Sequence, residues 1–331
     1  MGEIALAKGH EKADALNAGI NAGKDPFFIT VDPDTYIDED DFKTLIRPIF
    51  FDPNVIGIGA SVRIRNGCLL KYNRIATEKF PKNFLPTMQQ LEYLRSFLQR
   101  EGWDHFGGNV CISGAFSIYH RKTIIQAGGY ISSVAEDMEI VVRLHRIMKK
   151  NNKKYKITYL PDPAAWTEGP SKIKTLGIQR TNWHKGLLET LYLHKGLFFN
   201  AKYGFFGLFT FPFWFWGEAI EPLVETVGYF VIIFGIIFGI SNPYYVFTFL
   251  LLAWGYNILF TLFSILVEDF TFKRYPSFRS FFLLFFSSAI ENFGYKQMTI
   301  YWRIKAFFKF IEEASFIKKI NKHLQKILKR N

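Results

Sequence analysis

The chain has 331 residues, room for one large domain or two modest ones. Its net charge of +12 and pI near 9.5 point to nucleic acid, an anionic membrane surface or phosphate-bearing substrates as partners. Two cysteines, Cys68 and Cys111, exclude a disulfide framework and fit a reducing, cytosolic setting; no signal peptide is visible.

Up to about residue 200, short apolar runs alternate with amphipathic segments, the pattern of an α/β domain. Residues 12–22 have a helical pattern, with Ala13, Leu16 and Ile20 on one face and Gly23 as the stop. Residues 27–31 read as a buried strand that ends at Asp32-Pro33-Asp34. Ligands of open α/β sheets sit at the carboxyl ends of strands, where two such carboxylates can reach one hard cation and a diphosphate. A plain acidic turn explains the same residues. The run continues through Asp38 to Asp41, but a calcium loop would need glycine where Ile37 stands.

A second acidic element, Glu136-Asp137, opens a helix running to about Lys149, with Ile140, Val141, Leu144 and Met148 on its buried face. The spacing puts Asp137 on or beside that face and turns Glu136 and Glu139 outward. A carboxylate partly out of water suits a general base, although acids also favour the first turn of any helix. Farther on, Gln179-Arg180-Thr181-Asn182-Trp183 combines a cation that can contact phosphate with an indole that can stack a sugar, although spacing alone favours an interfacial helix with a belt tryptophan.

From about residue 201 the chain turns apolar and rich in its 37 phenylalanines. Residues 222–240 and 243–267 are long enough to span a bilayer, while 278–300 is broken by Glu291, Asn292 and Lys296 and is either re-entrant or interfacial, or a full span that sends the basic tail outside against the positive-inside rule. Lys273, Arg274 and Arg279 place the 268–279 loop, and with it the catalytic part, in the cytosol. The tail from Arg303 repeats Phe307, Ile311, Ala314, Ile317, Leu324 and Leu328 between lysines, as a helix on an anionic membrane surface or a solvated tail helix would. The expected organisation is a catalytic part over 1–200, transmembrane and interfacial helices over 201–302, and a basic amphipathic tail over 303–331.

These pieces resemble the processive-type membrane glycosyltransferases of family 2, the group that includes cellulose, hyaluronan and poly-N-acetylglucosamine synthases. Lys12-Ala-Asp-Ala-Leu-Asn17 is similar to the family's K-A-x-A-L-N element, Asp32-Pro33-Asp34 to its D-x-D, Ser113-Gly114-Ala115-Phe116 to its acceptor element, Glu136-Asp137 to its acid pair, and residues 179–183 to its Q-x-x-R-W. The resemblance implies a partial GT-A (Rossmann-like) α/β domain followed by transmembrane helices in a cell membrane. It implies Asp137 as general base and Asp32 and Asp34 as ligands of Mg²⁺ or Mn²⁺. Lys12, Asn17, Asp32, Asp34, Gln179 and Arg180 would bind the nucleotide-sugar donor, a UDP-sugar. Gly114, Ala115, Phe116, Glu136 and Trp183 would bind a glycan or lipid-linked acceptor.

Two departures stand out. Asn182 occupies the place of the family's arginine, and nothing before Lys12 matches the family's first nucleotide-binding strand. The chain is therefore expected to be truncated, and to need an upstream segment or subunit to bind its donor. The contrasting expectation is a non-catalytic membrane subunit that binds a glycan or partner chain. A nucleic-acid binder is excluded, since no nucleic-acid module accompanies the charge.

Overall fold

A computed structural model describes residues 12–37, 39–71, 74–77, 81, 83–272 and 278–330. The first part runs α1 (Lys12–Ala22), β1 (Phe27–Val31), β2 (Tyr36–Ile37), α2 (Glu39–Leu45), α3 (Arg47–Phe51), β3 (Val55–Ile64), β4 (Leu69–Lys71), β5 (Arg74–Thr77), α4 (Phe84–His105), β6 (Phe116–His120), α5 (Arg121–Gln126), α6 (Glu136–Lys150), β7 (Lys156–Thr167) and α7 (Ile173–Leu193). A five-stranded sheet in the order β1-β6-β3-β7-β2 forms its centre, with β4 and β5 as a separate hairpin.

The α/β expectation is met by a mixed sheet. β6 is antiparallel to both β1 and β3, whereas β3 and β7 are parallel. The carboxyl ends of β1, β3 and β7 therefore share one edge with the start of β6. At that edge Val31 lies opposite Phe116 and the Asp32 N–H donates to the Ala115 carbonyl at 3.1 Å. β3 is buried along its whole length and anchors a core with Leu45, Phe116, Ile118 and Ala165.

The strand expected to be buried is not. Among the described residues β1 lies at the sheet edge, with Ile29 and Val31 each 41% exposed. An apolar run cannot tell burial on one face from burial on both; pairing order decides it.

Helix α6 is covered on more sides than its apolar face required, and Glu136 and Glu139, expected to point outward, are both buried. Its far side is met by α7 and the segment after it, whose His194 Nε2 donates to Glu139 Oε1 at 3.0 Å, while Arg143 bridges Glu139 at 2.7 Å and the Ala127 carbonyl at 2.8 Å. Buried charge survives there because it is paired and hydrogen-bonded.

The second part runs α8 (Phe206–Ala219), α9 (Glu221–Ile237), α10 (Pro243–Phe272), α11 (Phe278–Glu291), α12 (Tyr295–Glu312) and α13 (Ala314–Arg330). Among the described residues one helix, over Pro243–Thr271, is long and apolar enough to cross a membrane; α8 and α9, bent by 41° at their junction, make a second if they act as one span. The 278–300 segment is indeed broken, into α11 and α12, which starts after Gly294 at φ +86. Lys273 and Arg274, on which the topology expectation rested, lie outside the described residues.

The two parts are joined by ion pairs. Arg95 of α4 bonds Glu291 of α11 and, at 2.8 Å, Thr261 of α10; Arg63 of β3 pairs with Glu268 of α10. The tail also differs from expectation. It is two helices, and the apolar stripe of α13 (Ile317, Ile320, Leu324, Leu328) is buried; Ile320, Leu324 and Leu328 join the core of α1, α5 and α6 instead of facing a membrane. Lys150 donates to the Leu328 carbonyl at 2.9 Å and fastens its end. An amphipathic stripe records that an apolar surface awaits it, not whether that surface is lipid or protein.

Candidate active site

The site is assembled at the edge where β1 ends and β6 begins. Pairing of β1 with β6 brings the turn carrying Asp32 and Asp34 beside Ser113-Gly114-Ala115-Phe116. From the other side, the first turn of α6 presses Asp137 against Gly114. A Cβ added at Gly114 would stand 2.7 Å from Asp137 Oδ2, so only glycine permits this approach. Two acidic elements more than 100 residues apart in sequence are thus tied to neighbouring residues of one segment.

Lys12 of α1 joins them. Its Nζ lies 2.7 Å from Asp32 Oδ1 and 3.0 Å from Glu136 Oε1. Burial works against the ammonium, but Glu136 and Asp32 outweigh it and hold the Lys12 pKa above the usual lysine value. For Glu136, burial and then the neighbouring Asp137 push the carboxyl pKa up, and Lys12 opposes them. The result is one cation held between two carboxylates, one from each acidic element.

Asp34 is placed by the end of β7, where Thr167 Oγ1 donates to its Oδ1 at 3.3 Å. Each carboxylate of the D-x-D turn uses one oxygen in these contacts. Two carboxylates on one turn suit Mg²⁺ or Mn²⁺, which take one or two protein carboxylates and complete their shell with phosphate and water. Among the described residues no group of three or more His, Cys, Asp or Glu forms a closed protein cage for a metal.

The Gln179–Trp183 element lies on α7. Trp183 is 45% exposed, packed near Tyr93 of α4 with ring centroids 6.4 Å apart. The Arg180 guanidinium sits 4.3 Å from the Trp183 ring centroid and bonds Glu92. Arg180 is therefore buried and already paired, in contrast to its expected contact with a diphosphate. Gln179 is half-buried and its Oε1 is buried without a partner.

Asn17 also departs from its expected role. It is buried, its Nδ2 donates to the Tyr130 carbonyl at 2.8 Å, and its Oδ1 accepts from the Tyr130 N–H at 2.8 Å. Both ends of the amide are used to clamp α1 to the loop before α6, a structural duty that spacing along a helix cannot reveal.

Sequence reasoning missed three contributors. Cys111 Sγ lies 3.4 Å from Asp137 Oδ2. Glu189 of α7 fixes the loop that delivers α6, accepting from Ser133 Oγ at 3.0 Å and from the Val134 N–H at 3.2 Å. Tyr295 of α12 is fully buried, and after burial itself the charge of Glu92 raises its pKa most, which puts the hydroxyl beside the Glu92–Arg180 pair. A cysteine two residues before the Ser113 element was the one available signal. A groove of ≈ 320 Å³ opens at the other ends of the strands, lined by Phe27, Val55, His120 and Lys153, and holds none of these site residues.

Poly-β-1,6-N-acetyl-D-glucosamine synthase of Staphylococcus aureus is 25% identical over 190 residues, 57% of this chain and 41% of that protein. Chitin synthase 3 of Saccharomyces cerevisiae is 26% identical over 251 residues, 68% of this chain and 20% of that protein. The chain thus spans about two fifths of the first relative and one fifth of the second. A solved structure of the mannosyltransferase PcManGT from Pyrobaculum calidifontis, in complex with GDP-Man and Mn²⁺, matches with a TM-score of 0.48 and 15% identity, covering 87% of this chain and 68% of that one. The family model described as Glycosyl transferase family group 2 matches residues 27–258, most of the chain, and the protein belongs to that family.

Proposed function

We propose that this chain carries out inverting transfer of a sugar from a nucleotide-sugar donor to a glycan acceptor at the cytosolic face of a membrane. One observation supports it above the others: Asp32 is hydrogen-bonded to Ala115 at 3.1 Å while Asp137 Oδ2 lies against Gly114, so the D-x-D turn and the acid pair border one cleft. Had the two lain on opposite faces of the sheet, no single glycosyl phosphate could meet both.

In this reading Asp137 accepts the proton of the acceptor hydroxyl. The acceptor oxygen forms a bond to the anomeric carbon as the bond to the diphosphate oxygen breaks, and the nucleoside diphosphate leaves. Asp32 and Asp34 would hold Mg²⁺ or Mn²⁺, which when bound offsets the charge of the leaving diphosphate. Lys12, shared between Asp32 and Glu136, offsets the repulsion between these two carboxylates and would turn toward phosphate when a donor binds. Trp183, exposed on α7 and backed by Arg180, would offer a face for a sugar ring.

The names of the relatives mention poly-β-1,6-N-acetyl-D-glucosamine and chitin, which favours a polysaccharide product; a UDP-sugar is the donor proposed with it. Membrane anchoring is supported by α10 and by its pairing of Glu268 with Arg63, which keeps the end of that helix on the sheet domain. A non-catalytic, glycan-binding subunit is favoured by one observation, the engagement of Arg180 with Glu92 where Asn182 already removes a cation.

The deciding measurement is transfer of label from a panel of nucleotide sugars by membranes containing the protein, with and without divalent cation. Transfer that requires the cation and vanishes in Asp137→Asn is the expected result. Full activity of Asp137→Asn would remove the base assignment, and no transfer from any donor would favour the binding subunit.

A further inference from the structure

Asp137 meets two residues of the segment entering β6: Gly114 of the Ser113 element and Cys111, which lies outside every motif. The Cys111 thiol lies 3.4 Å from Oδ2, and the Gly114 backbone comes so close to the same oxygen that an added Cβ would be 2.7 Å away. Both groups belong to the segment entering β6. Cys111 is itself immobilised, buried in a cluster with Val110, Leu187, Leu188 and Phe206. Burial, and then the charge of Asp137, push the thiol pKa well above its usual value, so the sulfur keeps its proton and can donate it.

An aspartate carboxylate rotates broadly about its last side-chain bond. A donor on one oxygen restricts that freedom, and glycine at 114 leaves the space in which that oxygen sits. We infer that Cys111 is a positioning residue for Asp137: its S–H donates to Oδ2, and with Gly114 it fixes the carboxylate so that Oδ1 receives the acceptor proton. The thiol proton stays on sulfur throughout, and no bond to Cys111 forms or breaks. The inference rests on the reading of Asp137 as the base.

Two measurements test it on the full chain. The first is infrared spectroscopy of the S–H stretch in a Cys68→Ala background, which leaves Cys111 as the sole thiol. A thiol bonded to a carboxylate absorbs at lower frequency than one bonded to a weaker acceptor. The band is expected to move up in Asp137→Asn and further in Asp137→Ala. The second is kinetics. Cys111→Ala is expected to lower kcat by roughly ten- to a hundredfold, as misplacement of a reacting group does. KM for the nucleotide sugar should stay unchanged, and Cys111→Ser should recover most of the rate because its hydroxyl still donates.

An S–H band that is the same with and without Asp137 overturns the proposal, as does a Cys111→Ala protein with unaltered kcat. The infrared arm needs no substitution at position 111, so it decides even if Cys111→Ala fails to fold. An inactive Asp137→Asn protein beside a normal Cys111→Ala protein defeats the positioning role alone. An active Asp137→Asn protein defeats the base assignment and the positioning role with it.

Discussion

Asp137 and Glu139 stand two residues apart in the first turn of α6, and their surroundings have little in common. Asp137 is half-buried beside Cys111 and Gly114, at the edge of the cleft, near Glu136 and Lys12. Glu139 is fully buried, bonded to Arg143 at 2.7 Å and to His194 at 3.0 Å. Burial alone would raise the Glu139 pKa, but Arg143 and His194 reverse the direction and hold it below the usual glutamate value. One carboxylate is kept available and the other is consumed by the fold. Partners, more than depth, separate a chemical group from a structural one.

The sharpest way to break this contrast is to neutralise each acid in turn. Asp137→Asn should lower transfer by about 10²- to 10⁴-fold, the usual contribution of a general base, with the thermal midpoint nearly unchanged. Glu139→Ala should do the reverse, costing about 3–5 kcal/mol of stability because Arg143 is left buried and unpaired. Denaturation in detergent followed by circular dichroism reads the second effect, and specific activity per folded molecule reads the first. Comparable activity losses without destabilisation in both variants would erase the distinction.

A second pair of variants tests the C-terminal strap. Leu324→Ala removes a fully buried side chain from the core shared with α1, α5 and α6, and should cost about 2–5 kcal/mol. Lys322→Ala, on the exposed side of the same helix, should change stability by no more than about 0.5 kcal/mol. If Leu324→Ala is as silent as Lys322→Ala, α13 is not part of the domain core.

pH provides a gentler probe of the buried polar region. Burial pushes His145 and His184 down to about 3 and lowers His194 as well. The fold therefore refuses protons that the unfolded chain accepts, so stability is full above the ordinary histidine value of about 6.5 and is lost as pH falls below it. For His145 and His184 the loss extends down to about 3. The denaturation midpoint should decline progressively over that interval; a midpoint flat from pH 7 to about pH 4 would contradict neutral, buried histidines.

Much of the site was legible because its chemistry sits in short local signals. The D-x-D turn after an apolar strand, the acid pair opening a helix and the Trp183 element each need only neighbours in sequence to be noticed. The roles of Asn17 and Arg180 were not legible, because Tyr130 and Glu92 lie 113 and 88 positions away and only tertiary contact reveals that their hydrogen bonds are already committed. The same holds for Cys111, whose contact with Asp137 depends on how the segment entering β6 meets the start of α6.

Helix α13 shows the limit most plainly. Its periodic apolar stripe and lysine face determined that it would be an amphipathic helix, since periodicity of side-chain polarity is a property of the chain alone. Whether the stripe would meet lipid or protein was decided only when α1, α5 and α6 presented a complementary apolar surface. In the same way the sequence by itself determined which groups could perform acid–base and metal chemistry. The three-dimensional packing decided which of them were left free to do so, because each hydrogen bond and each buried face can be used only once.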